Sequence, residues 1–170
     1  MNKKQQIIFR SSIITNIFLV IIIIWGFINT NFVKEQLIFE QVQHNLVELE
    51  GLITHQKKYN WSEPNLVTTE VRDILNGIYI GVSTGKYLKT ISSSDIRTLE
   101  NLASILRQYP HDELYEFSTL TTEDKQNFEE LQIKLREVGL GLRITISKDW
   151  DSFMDQIKTL EENLSTLQNK

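Results

Sequence analysis

The run from Ile13 to Ile28, IITNIFLVIIIIWGFI, constrains this chain more than any other feature, because it is apolar around the whole helical circumference. Extended to Val33 as a helix it makes a rod of roughly 31 Å, which matches the hydrocarbon thickness of a bilayer. Trp25 and the Asn29-Thr30-Asn31 cluster supply the amphipathic groups suited to a membrane-water interface. Lys3, Lys4 and Arg10 precede the run without any acid, whereas Lys34, Glu35 and Glu40 follow it. The positive-inside rule therefore predicts a cytoplasmic N-terminus and an extracytoplasmic C-terminal part.

A secretory signal peptide is the competing reading, since the uninterrupted core from Ile17 to Ile28 is short enough for one. No small-residue cleavage site follows it. The only alanine is Ala103, and the chain has no cysteine to serve a lipoprotein route. An uncleaved signal anchor is the expectation. The expected organisation is a cytoplasmic N-terminus over residues 1–10, a transmembrane helix over 11–33 and an extracytoplasmic, mainly helical domain over 34–170.

Without cysteine an exported domain must be held by its core, and thiol catalysis is excluded. A net charge of −4 argues against a nucleic-acid partner. Frequent Ile, Asn and Lys beside a single Ala fit an AT-rich genome and point to a low-GC Gram-positive bacterium.

The C-terminal part reads as a helical bundle. Val42, Leu46, Leu49 and Ile53 recur at helical spacing, so the transmembrane helix is expected to continue outward, although Gly51 weakens it. The chain should turn between Asn60 and Asn65, with Ser62 as a cap and Pro64 in the first turn of the next helix. Ser92 to Asp95 opens a helix through Ile96, Leu99, Leu102 and Leu106 that ends before Pro110. Thr121 or Thr122 caps another, which Gly139 or Gly141 stops. Ser147 would cap the last, whose Trp150, Phe153, Ile157, Leu160, Leu164 and Leu167 form its apolar stripe.

The sequence also resembles itself. Val71 to Ser83, VRDILNGIYIGVS, aligns without gaps on Leu135 to Ser147, LREVGLGLRITIS, which suggests a degenerate repeat over 64–109 and 122–170. Gly77, Gly81 and Gly85 disfavour a helix, while Ile78, Ile80 and Val82 alternate as in a strand. Short extended segments are therefore expected at 78–82 and 142–146, with Gly77 and Gly141 as left-handed helix caps.

Catalytic and metal motifs do not emerge. Gly81 to Tyr87 has one residue too few between its glycines for a phosphate loop, and a tyrosine follows Lys86. His44, Glu48 and His55 share a helical face without a ligand spacing, and His111-Asp112-Glu113 reads as a polar turn. No cofactor is expected. The chain is read as an interaction or regulatory module without catalytic activity, partnered by the bilayer and by a protein, a second copy of itself included. The alternative is a sensor whose small ligand binds between the two copies, and the candidate surface residues are Arg72, Tyr79, Tyr87 and Arg143.

Overall fold

The computed structural model describes residues 2–113, 116–144 and 148–165. Among them the chain is mainly helical. Helix α1 (Lys3–Ile38) passes through a π-helical turn (Phe39–Gln43) into α2 (His44–Lys58), making one continuous rod of 56 residues. Helices α3 (Asn65–Leu88), α4 (Ser93–Leu106), α5 (Thr122–Glu137) and α6 (Trp150–Ser165) gather around its C-terminal part.

The two ends of the rod have opposite surroundings. From Ile7 to Val33 the large apolar side chains of α1 are all exposed, and this stretch is long and apolar enough to cross a membrane. From Ile38 onward the same rod forms the centre of the core, with Ile38, Val42, Leu46, Leu49 and Ile53 fully buried. Sequence predicted this outward continuation. Gly51 does not interrupt the helix, and a Cβ there would meet the side chain of Leu142.

Contacts between named residues fix the helix directions. Gly77 of α3 sits against Gln41 and Gly81 against Ile38, so α3 runs antiparallel to the rod. Trp150 Nε1 donates to Asp95 and Asn101 Nδ2 donates to Glu161, which sets α4 and α6 side by side and parallel. Lys57 pairs with Glu129 while Glu50 pairs with Arg136, so α5 descends along α2. The end at which Trp61, Tyr109 and Phe128 stack is thus remote from the apolar segment, and Lys34, Thr90 and Trp150 mark the near end.

Most helix boundaries follow local chemistry. Ser92 caps α4 by accepting from Asp95 N at 3.1 Å. Thr121 and Asp124 form a reciprocal capping box on α5, which satisfies two otherwise unpaired donors. Gly139, with φ +85°, is the stop after α5, and Pro64 immediately precedes α3. Ser62 makes no cap there. Ser147 and Leu167 lie outside the described residues, and Asp149 Oδ2 accepts from Ser152 N at 2.9 Å at the start of α6.

Two further expectations are overturned, the extended segment at 78–82 and the left-handed caps at Gly77 and Gly141, since among the described glycines Gly139 is the one with positive φ. Residues 78–82 are not extended: α3 is an uninterrupted α-helix through Gly77, Gly81 and Gly85. The glycines serve helix packing instead, since a Cβ on Gly77 would overlap the backbone carbonyl of Gln41 and one on Gly81 the Ile38 side chain. Close approach offsets their poor helix propensity. The π turn coincides with this contact, around Gln41. Of the second segment, Leu142 and Arg143 form a turn and Ile144 a bend, while 145–147 lie outside the described residues. Gly77 inside a helix and Gly141 beyond one adopt different conformations, so the aligned pattern does not carry equivalent backbones there.

Candidate functional site

Two features stand out on the bundle, a buried charged node and an exposed face of α3. The node is built on Glu50, which is 1% exposed although it is an acid. Its position follows from the pattern, because it lies four residues after Leu46 and three before Ile53 and so points inward with them. Glu50 Oε1 accepts from Gln132 Nε2 at 2.6 Å and from Thr54 Oγ1 at 3.0 Å, and pairs with Arg136 Nε at 2.6 Å. Oε2 accepts from the backbone N–H of Leu142 at 3.0 Å. Burial alone would raise its pKa, but the Gln132, Leu142 and Thr54 hydrogen bonds and the Arg136 charge outweigh it and hold the carboxyl below its ordinary value. The carboxylate thereby ties α2, α5 and the segment after α5 together.

Asp112, expected in a polar turn, does comparable work at the far end. It is 2% exposed and accepts from Thr69 Oγ1 at 2.6 Å and from Ser118 N at 3.0 Å. These bonds clamp the loop before α5 onto α3. Burial opposes its ionisation, yet the hydrogen bonds from Thr69, Ser118 and Thr68, with the Arg72 charge, keep its pKa low.

The second feature is the outer face of α3. Turned away from the glycine side, Tyr79 is 70% exposed, Ile80 46% and Tyr87 87%, and Ser83 is exposed between them. Beside this strip runs a groove of about 340 Å³ between α3 and α4, floored by Leu75, Ile78, Val82 and Ala103. Lys86 and Glu100 bridge it at 2.7 Å.

The four residues proposed from sequence do not share one cavity. Tyr79 lines the α3–α4 groove, whereas Arg143 lines a separate hollow of about 210 Å³ with Gly51, Thr54 and Arg136. Arg72 pairs with the neighbouring Asp73 at 3.0 Å, and Tyr87 stands at the near end of α3. Sequence reasoning missed Glu50 and Lys34 as buried charges. The available signal was their helical register, since Lys34 precedes Ile38 by four residues just as Glu50 follows Leu46.

The histidines are accounted for locally. His44 faces Glu48 at 3.9 Å, His55 stacks on Tyr59, and His111 Nδ1 lies 2.9 Å from the Tyr109 carbonyl. Among the described residues no group of three or more His, Asp or Glu side chains is arranged to hold a metal ion. No protein-family model, curated protein or solved structure matches this chain.

Proposed function

We propose that this chain is a single-pass membrane protein, N-terminus inside, whose external helical bundle acts as an interaction or regulatory module. We assign it no catalytic role. The observation that carries the reading is the continuous rod from Lys3 to Lys58, exposed and apolar in its first half and the bundle core in its second. No flexible linker separates the two halves. A partner that displaces the bundle therefore acts on the apolar segment through a single helix, and the reverse holds equally.

The partner surface under this reading is the Tyr79-Ile80-Ser83 strip with the adjoining α3–α4 groove. Tyr79 and Arg107, which line this groove over its apolar floor, are residue types enriched at protein interfaces, and Ser83, Lys86 and Glu100 give it a polar rim. A photoreactive amino acid at Ser83 in the full chain, activated in intact membranes, should give a discrete protein adduct that Tyr79→Asp abolishes. An adduct with a second copy would identify a homo-oligomer. Absence of any adduct, or one indifferent to Tyr79→Asp, contradicts the assignment.

A small-ligand sensor is the second reading, favoured by the groove itself, whose volume of about 340 Å³ falls within the range of ligand sites. Its separate signature is a rise in melting temperature with an added small molecule, removed by filling the groove with Ala103→Trp.

A further inference from the structure

We propose that the corner between α3 and α4 rests in the lipid headgroup layer, with Tyr87 as an interfacial anchor, so that the bundle sits down on the bilayer that α1 crosses. The inference rests on the membrane-anchor reading and adds to it a second point of contact with the membrane. Its basis is axial register. Gly77 packs at Gln41 and Gly81 at Ile38, so descending α3 by four residues descends the rod by three. Tyr87 lies six residues beyond Gly81, roughly 9 Å further down. At that four-to-three register this level lies four to five residues below Ile38, at Val33 to Lys34, just beyond the Asn29-Thr30-Asn31 cluster.

Two independent observations agree with that level. Lys34 is 6% exposed, covered by the chain after α3 and by the start of α6: its Nζ lies 3.4 Å from the Thr90 carbonyl and 3.9 Å from the centroid of the Trp150 ring. Thr30 and Asn31 are already half-buried, whereas the residues from Ile7 to Asn29 are exposed. On one face the bundle thus reaches down α1 to Lys34, three residues above the polar cluster, while Phe32 and Val33 stay exposed. A body rigidly held at that depth must meet the headgroups.

The side chains at the corner suit them. Tyr87 is 87% exposed, a ring whose apolar body and hydroxyl match an interface, and the exposed Lys89 two residues on has a stem long enough to place its ammonium among phosphates, while Lys86 on the other side is held by Glu100. Lys89 ends α3 in the left-handed conformation, φ 55°, which turns the chain sharply so that Ser92 to Ser94 lie exposed beside it.

The test is depth measured by spin-label accessibility in the full chain, reconstituted in nanodiscs of phosphatidylcholine and phosphatidylglycerol. The absence of native cysteine makes every label unique. Three single variants suffice: Val20→Cys within the apolar run, Tyr87→Cys at the corner and Gln126→Cys on the exposed start of α5, with circular dichroism confirming that each is folded. The label at 87 should show several-fold lower collision with an aqueous nickel complex than the label at 126, and a depth between those at 126 and 20. Equal aqueous accessibility at 87 and 126, with 20 reading as lipid-embedded, overturns the headgroup contact and leaves the anchor standing. Aqueous accessibility at 20 removes the anchor, and this inference with it.

Discussion

At the scale of single residues, two acids on neighbouring helices respond oppositely to pH. Glu50 is saturated with donors and its folded pKa is depressed, so its stabilisation is present above the unfolded value near 4.5 and is lost as pH falls through the lower folded value. Glu50→Ala strands Gln132 and the Leu142 N–H and leaves Arg136 without its partner. A loss of about 2 to 4 kcal/mol is expected at pH 7, measured by chemical denaturation of the full chain in micelles. Glu70 is the opposite case. One of its carboxylate oxygens is enclosed without a hydrogen-bond partner, and burial, then the Glu48 and Asp73 charges, push its pKa up to about 7. The folded state then holds a proton that the unfolded state releases, so this group's contribution falls as pH rises from about 4.5 through about 7. Glu70→Gln should flatten that segment of the stability profile and raise stability at pH 8 by on the order of 1 kcal/mol, discounted for partial solvent screening. An unchanged pH profile would show that Glu70 is effectively solvated.

At the scale of elements, the helix ends and apolar stripes were largely legible in the sequence, and the conformation of α3 was not. The stops and caps at Ser92, Thr121 and Gly139 depend on neighbours within a few residues. The stripe of α6 is likewise local, and Phe153 and Leu160 are both fully buried as its spacing requires. Phe153 packs edge-on against Phe39 at 6.0 Å. Phe153→Ala or Leu160→Ala should each destabilise the bundle by about 2 to 5 kcal/mol, and a melting temperature unmoved by either would contradict their place in the core. Gly77, by contrast, answers to Gln41, which is 36 residues away in sequence, so no local rule reveals that its lack of a side chain serves close packing. The alternation of Ile78, Ile80 and Val82 misled for the same reason: Ile78 and Val82 face the core while Ile80 is exposed, a helical i, i+4 pair. Gly77→Ala should destabilise by about 1 to 3 kcal/mol because a Cβ meets fixed backbone. Gly81→Ala should cost less, since only the flexible end of Ile38 must give way. Equal effects, or a stabilised Gly77→Ala chain, would refute the tight α3 contact. The surface candidates were the least legible, because Arg72, Tyr79, Tyr87 and Arg143 were chosen on an assumed equivalence of two segments that fold differently.

At the scale of the whole molecule, the rod unites an apolar, solvent-exposed half with a half that is the core of a helical bundle. Burial of the first half in lipid would resolve its exposure, and under the proposed anchor reading the charge asymmetry around it, Lys3, Lys4 and Arg10 before against Lys34, Glu35 and Glu40 after, would set the direction of crossing. If α1 crosses the bilayer as proposed, the same rod fixes the bundle's distance from the membrane, and the proposed contact at the α3–α4 corner rests on that. The whole account depends on the orientation of that rod. Labelling with a membrane-impermeant maleimide in intact cells tests it most directly, using full chains carrying Gln126→Cys or Asn2→Cys. The account predicts that the cysteine at 126 is labelled in intact cells, that the one at 2 is labelled only after permeabilisation, and that both chains keep their full mass in the membrane pellet. Labelling at 2 in intact cells with protection at 126, or a soluble chain shortened to begin near Asn31, would contradict it.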